Sequence, residues 1–200
     1  GNHGVGNWTI EAFSNTAASS FRWYRDVFGD YEKQLGKETG KDPYNIMTEE
    51  MAAKSVPGSN GITFLPFLQG AAGARGNANA KGTFLGMSLG TTKADMARSV
   101  LEGICFEMYD IVRAEEAADI EVKTVRLTGG AAKSPFWAQM LSDIMQKPVQ
   151  LLQTSETGCL GAALYAGIGS GVYKDAHDAV DQAVKISKEF TPDPSKAAPY

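Results

Sequence analysis

Histidine and cysteine are nearly missing from this chain, with two of each in 200 residues. Cys105 and Cys159 stand outside any C-x-x-C pair, so neither a thiolate zinc site nor a disulfide framework has its ligand spacing. Free thiols fit a reducing compartment. His3 and His177 read as surface or loop residues, and no local pattern forms a Ser/His/Asp triad. No apolar run approaches the roughly 18 residues of a membrane span, and the opening residues lack the basic-then-apolar order of a secretory signal. Charge of neither sign is massed: 19 Lys+Arg face 23 Asp+Glu for a net charge of −4. Nucleic acid and membrane surfaces are therefore not expected partners, and the chain is expected to be soluble and cytoplasmic.

What is present is enough apolar material for a core, 43% hydrophobic with 10% aromatic residues, in one domain-sized chain. It begins without methionine at a Gly- and Asn-rich stretch, as if entered in the middle. Phe21, Tyr24, Val27, Phe28, Tyr31 and Leu35 have helical spacing and predict one helix over 14–35. A polar interruption with Gly36, Gly40 and Pro43 precedes a short helix over 48–55 and a turn at Pro57-Gly58. Residues 62–68 predict a strand ending at a proline, 69–82 a flexible or functional glycine-rich loop, and 83–89 a second strand or extended edge.

Thr92 and Asp95 form an S/T-x-x-D helix start, and Met96, Val100, Ile104, Met108 and Ile111 follow on one face, so a long buried helix runs to about residue 118. Residues 124–128 predict a strand running into Gly129-Gly130. Ser134-Pro135 then reads as an N-cap with proline at the first helical position, with Trp137, Met140, Leu141, Ile144 and Met145 as the apolar stripe. Pro148 closes that helix before a strand over 149–152. Helices follow over 158–167, with small residues for close approach, and over 175–189; the tail 191–200 reads as extended and unpacked. Strands alternating with helices argue for a layered α/β domain.

Residues 124–144 are the informative segment. A strand ending in two glycines before a capped helix opens a pocket at the carboxyl edge of a sheet. Glycine lets a base or phosphate approach the main chain, and free amides near Ser134 and Phe136 favour a negative or polar group. The segment is neither a Walker loop nor G-x-G-x-x-G, which argues against a dinucleotide oxidoreductase. On spacing alone, a nucleotide turn and a purely structural glycine turn both stand.

Residues 128–145, Thr-Gly-Gly-Ala-Ala-Lys-Ser-Pro-Phe-Trp-Ala-Gln-Met-Leu-Ser-Asp-Ile-Met, resemble the adenosine motif in the C-terminal domain of the FGGY carbohydrate kinases. Gly82-Thr-Phe-Leu-Gly-Met, then Asp95-Met, then Ser99-Val-Leu-Glu102 fits the C-terminal signature of that family. Residues 156–163 resemble its small-residue helix and 62–68 its strand before a variable loop, and the likeness is nearest to xylulokinase-like members. The resemblance implies an actin-like ATPase, ribonuclease-H-like α/β fold, with residues 1–200 a single partial domain: the C-terminal half of a two-domain sugar kinase. It implies phosphorylation of a ketopentose such as xylulose, or of ribulose, gluconate or glycerol, with ATP and Mg2+. A non-catalytic ATP-binding module, a pseudokinase, would share the same motifs.

The resemblance further implies that the general-base aspartate lies in the N-terminal domain, so that no residue of this chain is catalytic and the fragment alone is inactive. That domain is the expected partner, and a homodimer is compatible with the likeness. Gly129, Gly130 and Ala131 would lie against the nucleotide, and Ser134 would reach the adenine edge. Ala18, where the family usually has glycine, and Arg22 would face the phosphates. Residues 71–75 depart from the Glu-Arg-Thr/Ser-Pro element of xylulokinase-like members; Arg75 reads as solvated, with a phosphate contact as its alternative. The helical methionines, Trp8, Trp23 and Trp137 read as packing, and Cys159 as an inert small side chain.

Overall fold

The computed structural model describes residues 2–3, 7–72 and 76–200. Arg75 and the side chains of His3 and Trp8 lie outside the described residues. A short antiparallel pair, β1 (Asn2–His3) and β2 (Asn7–Trp8), opens the chain. The helix expected over 14–35 is two helices, α1 (Ala17–Phe28) and α2 (Asp30–Thr39). Gly29 separates them at φ −98°, ψ 26°, outside the helical well, and ends one while starting the other. The break changes the buried face. Phe21 and Tyr24 are in the core, whereas Val27, Phe28 and Tyr31 are exposed.

The short helix expected over 48–55 starts earlier. Asp42 caps α3 (Pro43–Asn45) by accepting from the Tyr44 N–H, with Pro43 at the first position. A π-helical turn Ile46–Met51 and a 3-10 turn Ala52–Lys54 continue it. The two expected strands pair as an antiparallel hairpin, β3 (Thr63–Leu65) with β4 (Thr83–Leu85), joined by the long glycine-rich connection. Pro66, which has no N–H to donate, follows the last paired residue.

The expected capping box forms at α4 (Lys93–Glu116): Thr92 Oγ1 accepts from the Asp95 N–H, and Asp95 accepts from the Thr92 N–H. The N-terminal half of α4 is buried around its circumference, against α1, β3 and α5 (Pro135–Met145). Two carboxylates inside it are fully paired. Asp95 Oδ1 accepts from Ser55 and Asn60, and Glu102 accepts from Ser59, the Gly58 N–H and Arg98. The 82–102 signature thus fastens the 55–60 turn to the central helix. Its acids are structural ties.

β5 (Val125–Leu127) and β6 (Val149–Leu152) are parallel and connected through α5, as a crossover requires. α6 (Thr157–Gly169) follows, then α7 (Ala176–Ala183). The helix expected to run to residue 189 stops there. Residues 186–190 form β7 (Ile186–Phe190), antiparallel to β6, with Phe190 opposite Val149 and both buried. Pairing with the edge of β6 and seating Phe190 in the core outweigh a continued helix. The sheet order is β5-β6-β7.

The tail also departs from expectation. It makes a 3-10 turn at Pro194–Lys196 and returns to the core, where Tyr200 meets Arg98 and Phe106. The small residues of α6 divide in role: a Cβ at Gly167 would lie 2.6 Å from the Tyr173 ring, whereas at Gly161 it would meet nothing within 4 Å. No residue of α6 is buried, although the helix is rich in Ala, Leu and Ile. Among the described residues no helix is long and apolar enough to cross a membrane.

Candidate functional site

Beyond β5 the chain reaches Gly129 at φ 75°, ψ −155°, backbone space open essentially only to glycine. A 3-10 turn, Gly130–Lys133, fills the interval between Gly129 and the helix start expected at Ser134-Pro135. Ser134 then caps α5 by accepting from the Trp137 N–H at 3.2 Å, and Pro135 occupies the first helical position. A Cβ at Gly129 or Gly130 would meet no heavy atom within 4 Å, so the main chain faces open space. Any molecule arriving there meets backbone directly.

The open space belongs to a hollow of about 250 Å³. One wall is Gly130, Ala131, Lys133, Ser134 and Trp137; the other is Tyr44, Asn45 and Thr48, with Asp42 at the edge and Ala18 and Phe21 of α1 completing it. Phe21 joins the walls, its ring centroid 6.1 Å from Tyr44 and 5.9 Å from Trp137. Such ring pairs contribute about 0.5–1.5 kcal/mol each beyond their buried area. Arg25 holds the Tyr44 ring from outside, its guanidinium carbon 4.6 Å from the centroid. Burial pushes the Tyr44 phenol above its ordinary value, with Asp26 and Asp42 adding to the rise and Arg25 opposing it.

The sequence-predicted residues separate. Gly130, Ala131, Ser134 and Ala18 come together on this hollow, and Gly129 lies beside it. Arg22 does not line it and is exposed on α1. Lys133 is exposed on the rim and forms no ion pair among the described residues. The negative group favoured by the amides near Ser134 and Phe136 is supplied by the protein itself: Glu49 Oε1 accepts from Ser134 Oγ at 2.8 Å and from the Phe136 N–H at 3.1 Å.

Sequence reasoning missed Tyr44, Asn45 and Glu49. Asp42-Pro43 carried a local signal, a capping acid before a proline at a helix start. Glu49 carried none, because its partners lie 85 and 87 positions away. A larger groove of about 370 Å³ along the C-terminal half of α4, lined by Phe13, Phe67 and Ile111 among others, includes none of the predicted residues. Among the described residues no group of three or more His, Cys, Asp or Glu side chains is placed to hold a metal ion. The described residues therefore offer no such cluster for a resident Mg2+.

Comparison with known proteins agrees with this architecture. The chain is 33% identical over 195 residues to a gluconokinase of Bacillus subtilis (strain 168), covering 97% of this chain and 38% of the relative. It superimposes with a TM-score of 0.77 and 29% identity on ligand-bound xylulose kinase from Lactobacillus acidophilus, covering 94% of this chain and 36% of that one. Plasmodium falciparum glycerol kinase, solved with ADP, gives a TM-score of 0.71 at 26% identity, covering 92% of this chain and 34% of that one. The chain therefore spans little more than a third of the length of these relatives, and the actin-like α/β fold expected from its motifs is the one observed. Residues 1–170 match the C-terminal domain of the FGGY family of carbohydrate kinases, and the chain belongs to that family.

Proposed function

We propose that residues 1–200 are a single partial C-terminal domain of a cytoplasmic, ATP-dependent carbohydrate kinase, and that the hollow beside Gly129 and Gly130 receives the adenosine of ATP. The observation that carries this reading is the Gly130 main chain, held beside the glycine-only turn at Gly129, opening without any covering side chain onto a hollow walled by Tyr44, Phe21 and Trp137. Aromatic and small apolar walls suit a base, and an open main chain suits ribose and the first phosphate. Gly129, Gly130, Ala131 and Ser134 would contact the nucleotide, Ala18 would close one side, and the unpaired Lys133 would stand toward the phosphates. Arg22, exposed outside the hollow, would reach phosphate only in the assembled enzyme.

The reaction needs groups beyond these residues. Phosphoryl transfer to a sugar hydroxyl requires a base for its proton and charge neutralisation at the phosphates. A base aspartate from the N-terminal domain fits that need. Mg2+ neutralises phosphate charge when bound; in this reading it is held by the nucleotide and by residues outside this chain, and the roles of Gly129, Gly130, Ala131 and Ser134 do not run through it. The partner domain has physical support in α6, apolar yet without a buried residue, and in β5, whose outer edge pairs with no strand among the described residues. The free thiols Cys105 and Cys159 support a reducing compartment.

The relatives are named for gluconate, xylulose and glycerol. The acceptor class is a small polyhydroxylated compound, and a ketopentose such as xylulose is the first to test. Calorimetry of this chain with ADP is expected to show binding that Gly130→Leu removes, since the new side chain would fill the hollow. Unchanged binding in that variant would place the nucleotide elsewhere and sink the reading. Full-length protein is expected to consume ATP with one sugar of a panel that includes xylulose, gluconate and glycerol.

A further inference from the structure

The hollow is assembled from segments far apart in the chain, and one polar contact ties its two sides. Glu49, next after Thr48 on the Tyr44 wall, reaches across to Ser134 on the other and to the Phe136 N–H two residues on. The first N–H groups of a helix have no partner inside it. At α5 one is absent because residue 135 is proline, the Trp137 N–H goes to Ser134 Oγ, and the Phe136 N–H goes to Glu49 Oε1. The terminus is satisfied by the protein and faced by a carboxylate, where an anion is favoured. It is not left as a seat for phosphate.

The same contact fixes what Ser134 can offer a ligand. A serine hydroxyl has one hydrogen and two lone pairs, whereas a carboxylate only accepts. Ser134 therefore gives its hydrogen to Glu49 at 2.8 Å and one lone pair to the Trp137 N–H at 3.2 Å. One lone pair remains, and Ser134 borders the hollow while being 6% exposed. Resting on the reading that the base lies there, we propose that Glu49 is a positioning residue for base recognition: by holding the Ser134 hydrogen it leaves Ser134 as an acceptor, favouring a base with an exocyclic amino group over one with a keto oxygen at the same place.

ADP and inosine diphosphate test this, because their bases differ at position 6, amino against keto. Full-length protein and this chain are both expected to bind ADP about tenfold more tightly than inosine diphosphate, the scale of one hydrogen bond gained against one acceptor left unpaired. Glu49→Ala frees the Ser134 hydrogen to rotate toward a keto oxygen, and the ratio is expected to fall below about threefold. Glu49→Gln keeps an oxygen able to accept both bonds, since both end on Oε1, and is expected to restore the wild-type ratio. In the full-length enzyme the loss in Glu49→Ala is expected in the KM for ATP, with kcat retained.

A Glu49→Ala variant that discriminates as the wild type does would overturn the proposal. So would failure of Glu49→Gln to restore the ratio while Glu49→Ala has lost it. Should Glu49→Ala not fold, Glu49→Asp retains the charge with a shorter reach and is expected to lose discrimination as well. The function reading fails differently: wild type then shows no ADP binding, or binding that Gly130→Leu leaves intact.

Discussion

Arg98 donates a hydrogen bond from Nη2 to the phenol oxygen of Tyr200 at 2.7 Å, across 102 positions of sequence. The rest of that guanidinium is committed to Glu102 Oε1 at 2.6 Å and to the Ser55 carbonyl at 2.9 Å, over the ring of Phe136. Burial pushes the Tyr200 phenol up to about 12, and the nearby Glu102 charge adds to it. A buried cation needs its partners, because an unmatched donor keeps its desolvation cost. Tyr200→Phe retains the edge contact with Phe106 and removes only the oxygen. It is expected to cost about 1–3 kcal/mol in a urea unfolding titration, and a midpoint equal to that of wild type would show that the tail contact carries no weight.

Asp95 is held by hydrogen bonds rather than by a cation. Burial alone would raise its carboxyl, but donors from Ser55, Thr92 and Asn60 outweigh burial and bring it down to about 2. Because the folded value lies below the unfolded one, near 3.9, the contribution is complete above about pH 4 and is lost as pH falls toward 2. The amount is on the order of 2 kcal/mol. Asp95→Asn is expected to lower stability at pH 7 and to flatten the acid limb between pH 4 and 2, read by unfolding titrations at several pH values. An acid limb with the wild-type slope would assign that loss to other carboxylates.

Elements whose cause is local were legible. The Thr92/Asp95 capping box and the Ser134-Pro135 start are written within four residues, and both formed as read. The break at Gly29 was hidden because apolar spacing continued across it, and only the packing of the folded chain leaves Phe28 and Tyr31 both in solvent while Phe21 and Tyr24 are buried. Residues 186–190 lack any sign of helix termination. The open edge of β6 and the pocket for Phe190 make them a strand, and both exist only once the sheet is assembled. In the same way, the glycine side of the hollow was readable from residues 128–134, but its opposing wall and Glu49 are long-range products of packing.

The two thiols are expected to differ. Cys105 is in the core, and burial pushes its thiol up to about 12, so it is rarely a thiolate at neutral pH. Cys159 is exposed on α6. Its small size alone therefore does not make it inert in this chain, because the thiolate is the reactive form and access sets its rate. Titration of this chain with a chromogenic disulfide is expected to count one fast thiol when native and two after unfolding in urea. Two fast thiols in the native chain would show that α4 opens readily; none would show that α6 is covered.

Two helix glycines are expected to respond to alanine with opposite signs. In an exposed helix interior, Gly→Ala stabilises by up to about 1 kcal/mol, because alanine loses less backbone freedom on folding. Gly161 in α6, half-buried, has the room for it, with nothing within 4 Å of a Cβ. Gly103 does not. A Cβ there would lie 2.2 Å from the Phe64 carbonyl oxygen and 3.4 Å from the Phe64 Cβ, so α4 and β3 would have to separate. That contact is backbone and cannot rotate away, and overpacking of this kind costs about 1–3 kcal/mol or more. Urea midpoints are therefore expected to rise for Gly161→Ala and fall for Gly103→Ala. A rise in both would mean that the α4 to β3 approach is looser than 2.2 Å implies, and that helix propensity alone governs both positions.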